Sequence, residues 1–120
     1  MAIIAAGSFY QKGERVANLL KEHKVDATLI NPRYLNAVDA DTLEALKKNH
    51  RLVVTLEDGC KDGGFGERIA SYYSTSDMKV LVGGVKKGLY DRFKVDELLA
   101  DNRLLDNQIA EDIMNILWKK

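Results

Sequence analysis

Residues 51–73, RLVVTLEDGCKDGGFGERIASYY, join an apolar strand to an amphipathic helix through a glycine-rich turn. The run Arg51–Leu56 is the strongest strand signal in the chain. Four of the nine glycines follow it within residues 59–66. Apolar side chains then recur with the spacing of one helix face, at Phe65, Ile69, Tyr72 and Tyr73. A strand that leads through a tight turn into a helix is one unit of an α/β domain, so this stretch predicts the class of the fold.

The same alternation of strand and helix extends to both sides of this stretch. Further strands are predicted at residues 2–6, 25–30 and 79–82. Three more helices are predicted from apolar spacing: one with Val16, Leu19, Leu20 and His23 on its buried face, one with Leu43 and Leu46 after a cap at Asp39 or Asp41, and one with Ile109, Ile113, Ile116 and Leu117 after a cap at Asp106. Residues 95–100 have the pattern of a short helix, and residues 89–93 are ambiguous. Together these elements predict a three-layer α/β/α fold with a mostly parallel sheet of strand order 2-1-3-4.

Composition narrows the class of protein further. The 120 residues are enough for one domain, and 18 basic against 18 acidic side chains leave no net charge. A neutral chain is a poor ligand for nucleic-acid phosphates, and no apolar run reaches the ~20 residues of a membrane-spanning helix. Cys60 is the sole cysteine, which excludes an internal disulfide and disfavours a structural zinc site. We therefore expect a single cytoplasmic domain, residues 1–120, with no nucleic-acid or membrane partner.

The predicted strand order places a crevice beyond the carboxyl ends of the first and third strands. Gly7–Phe9 and the segment 57–66 would line it. Its candidate functional residues are the carboxylates Glu57 and Asp58 and the glycines of the turn, Gly63, Gly64 and Gly66. Glycines at the start of a helix let an anion approach backbone N–H groups, but they equally permit a tight turn and close packing of the helix on the sheet. Arg33 and Tyr34, just after the second strand, are candidates for contact with a ligand or a partner domain.

No complete catalytic motif is present. The glycine turn follows the third strand and has Ile69 where the dinucleotide fingerprint needs glycine, and Glu67 stands where a phosphate-binding loop needs lysine. A phosphoacceptor receiver domain would need acidic residues after the first strand, where this chain has Ala5-Ala6-Gly7. Cys60 lies between acidic residues, which disfavours a thiolate nucleophile. His23 and His50 fall near helix ends, where a basic side chain complements the helix dipole.

Several segments, taken in order, resemble the C-terminal domain of transketolase-type enzymes, which depend on thiamine diphosphate. They are Gly7, the segment 25–39 (VDATLINPRYLNAVD), the strand 52–58 (LVVTLED) and the turn 63–66 (GGFG). The ordered series covers essentially the whole chain and is far more specific than any one motif in it. Within that superfamily the sequence is most similar to the 1-deoxy-D-xylulose-5-phosphate synthase family, through the GGFG turn, residues 91–93 (DRF) and the stretch that ends Leu104-Leu105-Asp106.

The resemblance implies that the chain is a piece of a longer, dimeric enzyme. Such an enzyme condenses pyruvate with glyceraldehyde 3-phosphate, with loss of CO₂, for isoprenoid and thiamine precursors. In the family, a GDG…N motif of the N-terminal domain holds the diphosphate and Mg²⁺, and a glutamate of the central domain activates the thiamine. Neither motif occurs in this chain. The resemblance therefore implies a domain that forms the dimer, packs beside the central domain and supplies no catalytic, cofactor-binding or metal-binding residue of its own.

Alternatives stay open at this point. The chain could be the C-terminal domain of a transketolase or of a 2-oxo acid dehydrogenase β subunit, or a stand-alone regulatory module that binds a small anion at Gly63–Gly66. The family's fold also has an antiparallel edge strand before the segment that begins here, and we expect that strand to be missing. A flavodoxin-like redox protein is disfavoured, because no Ser/Thr-rich phosphate loop follows the first strand.

Overall fold

The computed structural model describes residues 1–31, 40–60, 64–85 and 103–118, without the side chains of Ser8, Asp58, Cys60 and Val85. These residues contain a parallel sheet of four strands in the order β2-β1-β3-β4. The strands are β1 (Ala2–Ala5), β2 (Thr28–Ile30), β3 (Leu52–Cys60) and β4 (Lys79–Val85). In the described ranges, a 3₁₀ turn (Gly7–Phe9) and four helices connect and follow them: α1 (Tyr10–Glu22), α2 (Ala40–Asn49), α3 (Phe65–Tyr72) and α4 (Asp106–Trp118). The predicted α/β class, parallel sheet and strand order are confirmed. The predictions for residues 89–93 and 95–100 and the cap at Asp39 lie outside the described residues.

The sheet is covered on both faces. Side chains of the central strands alternate between two apolar clusters: Ile3 and Val54 pack with α1 and α4, whereas Ile4 and Val53 pack with α2 and α3. All four of these side chains are fully buried. Helices on both faces of a parallel sheet are what right-handed strand–helix–strand connections produce, and they account for the three layers. None of the described helices is long and apolar enough to cross a membrane.

Two helices approach the sheet so closely that only glycine fits at the contact. A Cβ atom on Gly13 of α1 would lie 2.9 Å from the Cβ atom of Ala5. A Cβ atom on Gly66, in the first turn of α3, would overlap Thr55 Oγ1 and lie 2.8 Å from Val82 Cγ1. The sequence places Gly13 ahead of the first helix, whereas α1 includes it because the missing side chain lets the helix lie directly on β1.

Strand β3 is longer than predicted and so is its neighbour. It continues past the predicted end at Leu56 to Cys60, with an irregular register against β4 over that extension. Strand β4 likewise continues past residue 82 to Val85. Glu57 and Asp58 therefore belong to β3, and the strand extends two residues beyond them. The two strands prolong each other because the backbone groups of each find partners in the other, pairing Cys60 with Val85.

Strand β2 is shorter than predicted and begins at Thr28 instead of Val25. The Val25 amide donates to the Leu20 carbonyl at 2.9 Å, and Lys24 has a positive φ of 63°. Residues just before β2 therefore close the C-terminal end of α1 and are not free to pair in the sheet. His23, predicted on the buried face of α1, is exposed in the same turn.

Helix α4 is tied to α1 by a shared carboxylate. Asp106, predicted to cap α4, is its first residue, and its side chain turns to α1 instead. Lys12 Nζ lies 2.7 Å from one oxygen of Asp106 and Arg15 Nε lies 2.7 Å from the other. Burial alone would raise the pKa of Asp106, but the hydrogen bonds from Arg15 and Lys12 outweigh it and lower the pKa below its usual value. At the N-terminal end of α4 a side chain of the helix itself takes the capping role, since the Leu105 amide donates to Gln108 Oε1 at 3.2 Å.

Helices α2 and α3 are joined on the other face by two adjacent tyrosines. The buried Tyr73 hydroxyl donates to the Leu43 carbonyl at 2.6 Å, and the Tyr72 hydroxyl donates to Glu44 at 2.6 Å. Burial raises the pKa of Tyr73 to about 12, so this hydroxyl stays a donor at neutral pH. Tyr72, predicted on the buried face of α3, is 40% exposed because it reaches Glu44 across the surface.

Replacement of Gly66 by alanine tests the close approach of α3. We expect Gly66→Ala to lower the free energy of unfolding by ~1–3 kcal/mol, because the added methyl group meets Thr55 and Val82 and this overpacking exceeds the gain in helix propensity. Urea titration followed by circular dichroism measures the change. Ser71→Ala, on the exposed side of the same helix, is the control and should stay within ~0.5 kcal/mol of the parent chain. Equal stability of the two variants would contradict the contact.

Replacement of Asp106 by asparagine tests the link between α1 and α4. A carboxyl group with a lower pKa in the folded chain stabilises the fold above its unfolded pKa of about 3.9, and this contribution is lost as the pH falls through the folded value. Asp106→Asn should therefore cost ~1–2 kcal/mol at neutral pH, with a smaller difference from the parent chain below about pH 4.

Urea titrations at several pH values measure this difference. Glu14→Gln is the control, because Glu14 is an exposed carboxylate of α1, the helix that Asp106 contacts, and its replacement should change the free energy of unfolding by less than about 0.5 kcal/mol. A cost for Asp106→Asn that does not change with pH would show that the charge of Asp106 contributes nothing.

Candidate functional site

The carboxyl ends of β1 and β3 meet where the sequence predicts the crevice. The Ala6 amide donates to the Leu56 carbonyl at 3.0 Å, which holds the chain after β1 against β3. Gly7 then turns the chain away with a positive φ of 61° and begins the 3₁₀ turn that leads into α1. The chain departs from β1 and β3 toward opposite faces here, which makes this edge the topological switch point of the sheet.

Glu57 is the buried charged group of this edge. Only 5% of the residue is exposed, and its Oε2 accepts a hydrogen bond from the Phe65 amide at 3.2 Å. Phe65 is the first residue of α3, so its amide is one of those that a helix leaves without an internal partner. The protein thus supplies its own carboxylate at the positive end of α3.

The glycine turn serves that contact and the packing of α3. Gly64 precedes the helix in an extended conformation, with φ −79° and ψ 178°, and has no side chain to cap it. Gly66 brings the first turn against β3 and β4, as described above. Of the two uses predicted for this turn, the geometry supports close packing of helix on sheet. Glu57 already bonds one of the N–H groups that a bound anion would need.

One polar group of this edge was missed in the sequence. The Thr55 hydroxyl is fully buried below the first turn of α3 and has no hydrogen-bond partner within the described part of the chain. Thr55 lies between Val54 and Leu56 in an otherwise apolar run. A hydroxyl group in such a run is the sequence feature that could have indicated a buried polar group. An unbonded buried hydroxyl costs stability, and Thr55 precedes Glu57 by two residues in the same strand.

The structure describes some of the predicted site residues and brings these together. Glu57, Gly64 and Gly66 meet at the start of α3. The side chain of Asp58 and the residues Arg33, Tyr34 and Gly63 lie outside the described residues, so their predicted roles stay predictions. Among the described residues no group of three or more His, Cys, Asp or Glu side chains is placed to hold a metal ion.

A second feature lies at the opposite edge of the sheet, where the strands begin. Arg51, just before β3, borders three cavities of about 480, 200 and 190 Å³. We call the lining of the largest cavity the amino-terminal rim; it consists of Met1, Lys24, Val25, Lys48, Asn49, His50, Arg51, Leu117 and Trp118. Arg51 Nη2 donates to the Leu117 carbonyl at 2.9 Å and so bonds a carbonyl in the last turn of α4.

His50 lies on this rim between two of the cavities. Its Nε2 is 3.0 Å from Thr28 Oγ1, and its Nδ1 is buried without a hydrogen-bond partner in the described ranges. Burial lowers the pKa of His50, and the positive amino terminus of the chain lowers it further. His50 follows the end of α2 as predicted, but the lowered pKa disfavours the charged imidazolium that would complement the helix dipole.

A parallel sheet of order 2-1-3-4, with helices on both faces and a glycine turn after the third strand, defines a doubly wound α/β domain. The profile of one family of such domains, "Transketolase, C-terminal domain", matches residues 1–108. The chain therefore belongs to the transketolase C-terminal domain family, as its resemblance to that family predicts.

Individual relatives agree with this assignment. The chain is 36% identical over 123 residues to the 1-deoxy-D-xylulose-5-phosphate synthase of Gloeothece citriformis, a match that covers 99% of this chain and 19% of that protein. It is 37% identical to the synthase of Thermosynechococcus vestitus, covering 95% of this chain and 18% of that protein, and 30% identical to that of Clostridium tetani, covering 98% and 19%. The chain thus spans about a fifth of the length of the curated relatives that it matches.

A solved structure supports the fold on its own. The structure titled "Split gene transketolase, inactive beta4 tetramer" matches this chain with a TM-score of 0.82 at 22% identity, covering 95% of this chain and 38% of that one.

Replacement of Glu57 tests its role at the start of α3. Glu57→Ala should lower the free energy of unfolding by ~1–2 kcal/mol, because the Phe65 amide then lacks its acceptor in a buried place. Glu57→Gln keeps an acceptor oxygen without the charge and should cost less than Glu57→Ala. The expected loss is the ~0.3–1 kcal/mol that a carboxylate gains from a helix N-terminus. Guanidinium titration of both variants separates the two contributions. Equal losses in the alanine and glutamine variants would contradict an acceptor role for the side chain.

Proposed function

We propose that the chain is the C-terminal domain of a 1-deoxy-D-xylulose-5-phosphate synthase-like enzyme. The observation that carries the proposal is the set of synthases that are 30–37% identical to this chain over 92–99% of its length. The enzyme would join pyruvate to glyceraldehyde 3-phosphate with loss of CO₂, at thiamine diphosphate and Mg²⁺, as a cytoplasmic dimer in the synthesis of isoprenoid and thiamine precursors.

In this proposal the domain supports the active site without supplying it. Mg²⁺ with a diphosphate needs carboxylate or carbonyl oxygens that face an open cavity. At the switch-point edge the described carboxylate, Glu57, is buried and bonded to the Phe65 amide, so the described residues of that edge do not fit the cofactor. We therefore assign cofactor and metal to the rest of the enzyme, and to this domain the packing against the central domain and the dimer mate.

The proposal predicts that this chain completes a synthase that lacks its own C-terminal domain. The Gloeothece citriformis synthase, shortened by the segment that matches this chain, would be mixed with this chain in the presence of thiamine diphosphate, Mg²⁺ and both substrates. We expect the shortened synthase alone to be inactive or nearly so, and the mixture to form 1-deoxy-D-xylulose 5-phosphate. The excised C-terminal segment of the same synthase, expressed separately, is the positive control.

Two outcomes would contradict the proposal. One is restored activity with the native segment but neither binding nor activity with this chain. The other is stoichiometric binding of thiamine diphosphate by this chain alone in calorimetry, which would mean that the roles are assigned to the wrong domain. A saturable shift of the Gly64–Glu67 amides with phosphate would instead favour the anion-binding module.

A further inference from the structure

Three helices end at the amino-terminal rim. Lys24 follows the end of α1, Asn49 ends α2, and Trp118 ends α4, and all three line the cavity of about 480 Å³. This convergence follows from the fold, because strand–helix–strand connections return every helix to the edge where the strands begin. The last carbonyls of these helices, such as that of Leu117, therefore point toward one small area.

The rim is cationic beyond what those helix ends need. Lys24, Lys48 and Arg51 line it without a carboxylate, and Asp77 lies with Arg51 on the two smaller cavities and offsets part of the Arg51 charge. Each helix C-terminus carries roughly half a negative charge, so three of them offset about 1.5 of these three positive charges. A net positive area remains, in a chain whose total formal charge is zero.

An exposed tryptophan lies beside these cations. Trp118 is 62% exposed, more than any other large apolar side chain of the described residues. Leu117 lies next to it on the rim. Tryptophan and arginine, which both line the rim, are among the residues that contribute most to binding energy at protein–protein interfaces. Such a residue in water on the free domain indicates a contact that the isolated domain does not make.

We propose that the amino-terminal rim is the surface on which the rest of its own enzyme docks, through an acidic segment with an apolar side chain that covers Trp118. This inference rests on the proposed function, and it adds which face of the domain is used. The relatives are about five times as long as this chain, because the match covers 19% of them, so a large polypeptide must be accommodated. A second copy of this domain, meeting rim to rim, would bring like charges together, which costs free energy instead of gaining it.

The test uses the shortened Gloeothece citriformis synthase as the probe. Its affinity for this chain is measured by calorimetry at two salt concentrations, with the chain unchanged or carrying Trp118→Ser or the pair Lys24→Glu and Lys48→Glu. We expect each to weaken binding about tenfold or more. The charge-reversal pair should also remove most of the salt dependence.

Matched controls separate the rim from the general surface. Arg103→Glu reverses a charge at the opposite end of α4, and Tyr72→Ser removes another exposed aromatic ring; both should bind as the unchanged chain does. Urea titration confirms that each variant is folded. Hydrogen exchange of the complex should show protection of residues 20–25, 47–52 and 114–118.

The outcomes distinguish this inference from the function on which it rests. If the unchanged chain binds the shortened synthase but the rim variants bind equally well, and protection falls elsewhere, the docking surface is wrong and the proposed function stands. If the unchanged chain does not bind while the native C-terminal segment does, the proposed function fails and this inference fails with it.

Discussion

The pairing of β1 with β3 is the constraint on which the rest of the structure depends. Ala2, Ile3, Ile4 and Ala5 are completely buried, so the strand must be covered on both faces and paired on both sides. Helices therefore lie on each face, with α1 and α4 on one and α2 and α3 on the other. Because every connection is a parallel crossover, all strands end at one edge and the helices end at the other. The different chemistry of these two edges follows from that arrangement.

At the switch-point edge, the described carboxylate is used internally. Glu57 extends β3 past the apolar run, and its buried carboxylate bonds the first amide of α3. Gly66 lets that helix lie against Thr55, and the Thr55 hydroxyl stays unbonded within the described residues as a consequence of this dry contact. A carboxylate, a glycine turn and a helix N-terminus at a switch point resemble a ligand site in the sequence. In the structure the carboxylate occupies part of that site itself.

The sequence predicted the order of elements well because apolar periodicity depends on burial, and burial is strong in this sheet. The alternation of Ile3 and Ile4, or of Val53 and Val54, identifies strands whatever their partners are. The ends of strands and helices were predicted less well, since they depend on partners outside the element itself. Val25 bonds Leu20 instead of extending β2, and Asp106 pairs with Lys12. The rim was missed entirely, because its members come from residues 24, 48–51 and 117–118 and only the crossovers bring them together.

The contrast between the two edges bears on where a domain of this class meets other chains. A switch-point crevice is the usual place to look for a ligand in a doubly wound sheet. Here the buried Glu57 is already bonded to the first amide of α3, whereas the opposite edge has uncompensated positive charge and an exposed Trp118. Free energy is available for association where charges and apolar area remain uncovered, and little is available where they are already paired. In an enzyme of which this chain would form about a fifth, as we propose, the uncovered edge is therefore the better candidate for the contact with the remainder.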